Sequence, residues 1–298
     1  MKKALIFILV ISSFTCQAQI DYSWWNQIHH WDGITSWQNY MTISSAYLGP
    51  NALPIPENSK GIVDSSAQFE IGGDLHFNKG DHTQDGFVRG FLPFNEHRFA
   101  LSLEVIPIEF FQTDTIIRDM RASRGRSGKG KAGGDIYFTT YVQVLRDHAN
   151  LPDISIRAAL RTASGTNLGE ARYTDGPGYY FDLSIGKNIK LKNDWSMRWY
   201  GMIGFYVYQT FDILHLQDDC LLYGGGIDLN YKNFFLSEEL TGYSGYLKNG
   251  DKPQVFRSSL GWNGKKVLVK VSLQNAIRDF PSERVRFSVA IKIPKWRG

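Results

Sequence analysis

The sequence has almost no cysteine, only Cys16 and Cys220 in 298 residues. That excludes a scaffold stapled by several disulfides. Beyond its first residues it also lacks an uninterrupted apolar run of about 20 residues, the length an α-helix needs to cross a bilayer, so a helical inner-membrane protein is excluded. There is no strong charge excess: 33 Lys and Arg stand against 29 Asp and Glu, a formal net charge of +4. The excess is local. Arg118, Arg121, Arg124, Arg126, Lys129 and Lys131 fall between Thr113 and Ala132, opposed only by Asp114 and Asp119. A basic excess confined to one glycine-rich segment argues against a nucleic-acid-binding domain. No convincing amphipathic helix and no internal repeat is present.

What is present begins with "MKKALIFILVISSFTCQAQI". Two lysines, a short apolar core and small residues near Ala18 and Gln19 are the pattern of a cleaved secretory signal over residues 1–19. Residues 20–65 follow. They are rich in tryptophan, and Pro50, Pro54 and Pro56 lie near their end. This stretch is too long and too apolar for a free tail, and the expectation is a periplasmic segment or a plug folded into whatever follows it. A rival expectation is that "NYMTISSAYLG" adds a strand. His29 and His30 are adjacent, a poor spacing for chelating one metal in a strand.

Alternation of polar and apolar residues dominates 66–298. In "ERVRFSVAIKI", Val285, Phe287, Val289, Ile291 and Ile293 take one face, and Arg284, Arg286 and Lys292 the other. A period of two is a strand with one apolar face. Twelve such runs are predicted near 66–78, 86–94, 97–112, 133–145, 153–163, 177–189, 194–210, 219–230, 233–243, 253–262, 265–277 and 284–294. The connections alternate between long and short, and the short ones include Asn263-Gly264, a favoured hairpin pair. Long loops at one end, tight turns at the other and an even strand count predict an all-β fold: a single antiparallel up-and-down transmembrane β-barrel of the outer membrane. Aromatics near strand ends, among them Trp195, Trp199, Trp262 and Trp296, suit the membrane–water boundary.

On this topology residues 20–65 enter the barrel mouth from the periplasm, and the polar faces line the lumen. Its candidate charges are Glu70, Asp74, Arg98, Glu104, Arg157, Arg161, Arg257, Lys266, Lys270, Arg284 and Arg286, joined by His76, Asp135, Asp182, Arg198, Asp228. Glu70 and Asp74 on the first strand are expected to meet Arg284, Arg286 and Lys292 on the last, at the seam. Such charges either pair into networks that hold a narrow barrel rigid or build a pore whose basic wall favours anions. The basic segment 113–132 becomes an external loop, with Arg118, Arg121, Arg124, Arg126, Lys129 and Lys131 placed to contact lipopolysaccharide phosphates. A solvated loop, or one folded inward to constrict the pore, are the alternatives. No histidine has a serine in the spacing of an outer-membrane lipase, and His215 near Asp218 or Asp219 offers only a weak protease-like cluster. No catalytic residue, metal site or cofactor is expected. "GGG" at 224–226 lets a strand bend or leaves room in the lumen.

The signal ending Gln-Ala-Gln and the aromatic strands resemble outer-membrane barrels of Bacteroidetes-type bacteria. The stretch from "GGDIYFTTYVQVLRD" through "PDISIRAALRTASGTNLGEARYTDGPGYYFDLSIGK" resembles the phenol meta-pathway family of outer-membrane transporters. That resemblance, over Gly133 to Lys187, implies a barrel passing small, hydrophobic molecules and carries no catalytic residues. The expected function is passive, porin-like transport of a small molecule in a Gram-negative outer membrane. A structural or adhesive barrel, or an outer-membrane lipid hydrolase or protease, are the alternatives.

Overall fold

The computed structural model describes residues 20–95 and 97–293; the signal-like residues 1–19 and Trp296 lie outside them. Among the described residues the strands are β1 (Ala67–Asn78), β2 (Asp81–Phe94), β3 (Phe99–Thr113), β4 (Lys129–Ala132), β5 (Ile136–Leu145), β6 (Asp153–Arg161), β7 (Gly178–Lys190), β8 (Trp195–Gln209), β9 (Gln217–Tyr231), β10 (Phe234–Ser244), β11 (Gln254–Asn263), β12 (Val267–Arg278) and β13 (Glu283–Ile293). Two helices of six residues each, α1 (Ser23–Ile28) and α2 (Thr115–Met120), lie outside the sheet.

Twelve strands close into an antiparallel barrel. Each pairs with its neighbour in sequence, β3 passing over β4 to pair with β5, and β13 returns to β1 from Ala67↔Ile293 to Phe77↔Glu283. Closure leaves no row of unpaired backbone groups facing hydrocarbon, where each would cost several kcal/mol. β4 stands apart as a short flap on the end of β3, paired only through Glu109 to Gln112.

All twelve predicted strands are present, with two differences. β2 begins at Asp81, so the first connection is a two-residue turn rather than a long loop; Gly80 there takes a φ of +82°, which glycine accepts without strain. The polar run Asp81 to Asp85 carries no apolar alternation and therefore read as loop. The thirteenth strand comes from the basic segment, whereas "NYMTISSAYLG" forms turns and no strand. Of the other connections, 114–135, 162–177, 210–216 and 245–253 cluster at one end with the four-residue 279–282, and the turns at 191–194, 232–233 and 264–266 lie at the other with the seven-residue 146–152.

The apolar faces point outward. Phe69, Ile71, Leu75, Phe287, Ile291 and Ile293 form an exposed band across the β1–β13 seam. Trp195, Tyr231 and Trp262 stand exposed at the short-turn end, with the Trp195 and Tyr231 rings 4.9 Å apart. The apolar core lies at the long-loop end, where Trp25, Met41, Leu48 and Leu53 pack with Tyr206, Tyr208, Leu222 and Tyr243.

Residues 20–66 explain that core. The indole of Trp25 donates to the Ala122 carbonyl at 3.0 Å, and Ser44 and Ser45 donate to Asn249 and Gly250 carbonyls at 2.9 and 3.2 Å, all in long loops. The segment thus starts at the long-loop end and runs down inside the barrel to join β1 at the short-turn end. The sequence had suggested entry from the opposite mouth; apolar Trp25, Met41 and Leu48 find their buried partners among the long loops instead.

Candidate functional site

The lumen is a stack of ion pairs threaded by one extended segment. Asp74 and Arg286 face each other across the seam, as the barrel register requires, and form two parallel bonds of 2.7 and 2.5 Å. This fork geometry is the strong form of the carboxylate–guanidinium pair. Arg284 reaches Asp74 only at 3.8 Å. Glu70 pairs instead with Arg89 at 3.3 Å, which also binds Glu104 at 2.6 Å. Lys292 turns to Asn263.

A second cluster sits under the long loops. Arg172, from the 162–177 loop, is fully buried and donates to Glu109 at 2.7 Å, to Asp81 at 3.1 Å and to Thr83 at 2.8 Å. Arg121 adds a 2.6 Å bond to the same Asp81, and Tyr173 donates to Glu109 at 2.9 Å. Two loops are thereby clamped to the β2–β3 wall.

The inner segment uses the wall's charges as rungs. Asn51 donates to Asp85 at 2.7 Å and to Glu109 at 2.8 Å. The Ala52 carbonyl accepts from Arg161 at 2.8 Å and the Ile55 carbonyl from Arg257 at 2.6 Å. Arg257 also pairs with Glu239 at 2.8 Å. Lys60 pairs with Asp228 at 2.8 Å, and its carbonyl accepts from Arg198 at 3.0 and 2.8 Å. Below it Gln143 donates to the Gly61 carbonyl at 3.0 Å and accepts from the Val63 amide at 2.7 Å. Gly61, at φ +70°, lies so close to the wall that a Cβ there would meet the Gly186 nitrogen at 2.6 Å. Only a pair of glycines permits that approach.

Glu57 is the exception among the rungs. Its carboxylate stands 3.9 Å from Lys270 and 3.7 Å from both Arg284 and Arg286, beyond direct hydrogen bonding to any of them. Beside Glu57 is a cavity of about 210 Å³ between the segment 51–59 and the wall, whose lining includes Arg89, Tyr137, Tyr141, Arg157, Tyr180 and Arg284. Arg284 and Tyr137 both line it, and the Nε and Nη2 atoms of Arg284 and the Tyr137 hydroxyl are buried with no hydrogen-bond partner among the described residues.

Of the candidate lumen residues, Glu70, Asp74, Arg157, Arg161, Arg257 and Arg286 are buried there. Glu104, Lys270 and Arg284 face the same space and are partly covered. Arg98 and Lys266 are not in the lumen; they sit exposed at short turns, where a strand's alternation no longer fixes an inward side. Asp81, Asp85, Arg89, Glu109, Arg172 and Glu239 were not singled out from sequence, although alternation alone could have found Arg89, Glu109 and Glu239.

The basic loop divides in two. Arg124 stacks on Tyr22 at 3.4 Å and faces Trp37 at 5.2 Å, Arg118 covers Trp24 at 4.4 Å, and Arg121 is the buried partner of Asp81. Arg126, Lys129 and Lys131 remain exposed. His215 bonds Asp212 at 2.9 Å on the surface, not Asp218 or Asp219, and Asp218 accepts from Tyr208. Asp74, His76 and Asp85 come within 4.8 Å of one another, but Arg286 already engages both Asp74 oxygens and would oppose a cation. In 224–226, a Cβ on Gly226 would meet the Tyr200 ring at 2.8 Å, so this glycine leaves room for a tyrosine that bonds Asp228.

Against known proteins, no family model matches the chain and no curated protein matches it. Solved structures do. An outer membrane channel from Pseudomonas putida F1 superposes with a TM-score of 0.53 at 13% identity, covering 82% of this chain and 98% of that one. The KdgM porin in complex with disordered oligogalacturonate gives a TM-score of 0.46 at 15% identity, over 75% of this chain and 99% of that one. At 13% identity the first likeness is one of fold: this chain shares the architecture of an outer-membrane β-barrel.

Proposed function

We propose that the chain is an outer-membrane channel for a small molecule, closed in the conformation described by its own residues 50–66. The observation that carries this reading is a closed barrel with an apolar exterior, whose charged lumen is threaded by one extended segment. A segment held by side chains and two glycines, with no strand pairing to the wall, can leave without breaking the barrel. The long-loop end is then external and the short turns periplasmic, as in barrels of this kind. Transport of small hydrophobic molecules, as the phenol meta-pathway resemblance implies, is the finer form of the same proposal. The exposed Arg126, Lys129 and Lys131 are placed to meet lipopolysaccharide phosphates beside the outer rim.

A structural or adhesive role is favoured by one specific feature, the aromatic and arginine seal of residues 22–37 over the long-loop mouth. Conductance in planar bilayers separates the two. Deletion of residues 20–60 is expected to convert a mostly silent protein into an open channel. A folded deletion variant that carries no current would favour the structural role.

A further inference from the structure

We infer that the cavity beside Glu57 is a binding site for a small organic carboxylate, and that Glu57 is a tethered occupant of the same basic cluster, displaced when the solute enters. This deepens the channel reading and rests on it for the direction of transport, but not for binding.

Three observations converge. The first is the spare donor. Arg284 is nine-tenths buried, with a side-chain exposure of 10%, yet its Nε and Nη2 are unpaired. Its only carboxylate contacts are long, 3.7 Å to Glu57 and 3.8 Å to Asp74, and the natural complement of such a guanidinium is a carboxylate taken bidentately. The second is the seating of Glu57. It neutralises Lys270, Arg284 and Arg286 from 3.7 to 3.9 Å without a direct bond to any, and 36% of its side chain is exposed. A carboxylate that balances charge without locking into the cluster is one that another carboxylate can replace. The third is the space. About 210 Å³ corresponds to about seven waters at liquid density, enough for a carboxylate with a ring-sized body. The flat walls come from Tyr137, Tyr141 and Tyr180, and the Arg157 guanidinium lies 5.0 Å over the Tyr180 ring.

Four other lumen arginines do not offer this. Arg286, Arg257, Arg157 and Arg89 each hold a wall carboxylate at 2.5 to 2.8 Å. Arg284 alone of this group has only contacts of 3.7 Å or more to carboxylates, one of them Glu57. An entering anion therefore needs to break no wall pair; it needs only to take the place of Glu57. Because Glu57 is tethered, it competes at an effective concentration on the millimolar scale. Its removal should strengthen solute binding by about that competition.

The test is calorimetric titration of the full-length chain in detergent micelles with benzoate, and with benzamide as its uncharged counterpart. Benzoate is expected to bind and benzamide to bind at least tenfold more weakly. Glu57→Gln should tighten benzoate roughly tenfold, and Arg284→Gln should weaken it at least tenfold. Both variants should keep the heat-modifiable gel mobility of a folded barrel; if Arg284→Gln does not fold, Glu57→Gln with the benzamide control decides alone. Equal binding of benzoate and benzamide, or no gain with Glu57→Gln, would overturn the proposal. Binding without any conductance would instead count against the channel reading and leave the site standing, and conductance without benzoate binding would do the reverse.

Discussion

At the scale of single residues, most of the lumen follows one rule, with Arg284 and Lys270 its exceptions: a charge taken out of water must meet its partner. Arg172 shows it most fully, with no exposed side-chain surface and bonds to Glu109, Asp81 and Thr83. Replacing it by methionine leaves two buried carboxylates with reduced compensation. Arg172→Met should cost about 3–5 kcal/mol, the usual penalty for breaking a buried pair from one side, measured by urea unfolding in micelles. Lys266→Gln, at an exposed turn, should stay within about 0.5 kcal/mol of the parent. Arg172 could not be selected from the sequence, because it sits in a long loop where no periodicity says which way a side chain points. Arg286 and Asp74 could, because alternation put both inside and closure put both at the seam. Arg98 and Lys266 mark the limit of that logic: the period runs on past the last paired residue, but the wall does not.

At the scale of elements, the strands were legible because hydrocarbon demands an apolar residue at every second position, which leaves a trace in the sequence. The inner segment leaves no such trace. Its register is set by single contacts to a wall that is distant in sequence, so its tryptophans and prolines announced burial but not direction. The contact most sensitive to volume is Lys60–Gly61 against Gly186. A Cβ on Gly186 would stand 2.4 Å from the Lys60 carbonyl. Gly186→Val should therefore unseat the segment while the barrel stays closed, since Gly186 pairs with Asp153 of β6 and Tyr200 of β8 through its backbone. Trypsin should then cut after Lys60 at least tenfold faster than in the parent, read by mass spectrometry of the fragment beginning at Gly61. Unchanged cleavage would mean that the segment does not depend on this contact.

At the scale of the whole molecule, sidedness and closure act together. Apolar residues clothe the outside, charges fill the inside, and a segment anchored among the long loops passes through to the opposite mouth. The loop cations follow the same division: Arg118, Arg121 and Arg124 hold the seal, while Arg126, Lys129 and Lys131 face outward. Exchanging those three for glutamine should lower retention on immobilised lipopolysaccharide several-fold without changing unfolding; exchanging Arg124 should instead loosen the N-terminal seal.

The most direct test of the central claim, that the lumen opens when residues 50–66 move, is to pin them. The Ser59 hydroxyl of the segment and the Ser155 hydroxyl of β6 lie 3.4 Å apart. With Ser59→Cys and Ser155→Cys in one chain, the oxidised protein in a planar bilayer should stay silent, and reduction should release channel openings like those of the parent. Equal current before and after reduction, with the cross-link confirmed by mass, would contradict a mobile plug.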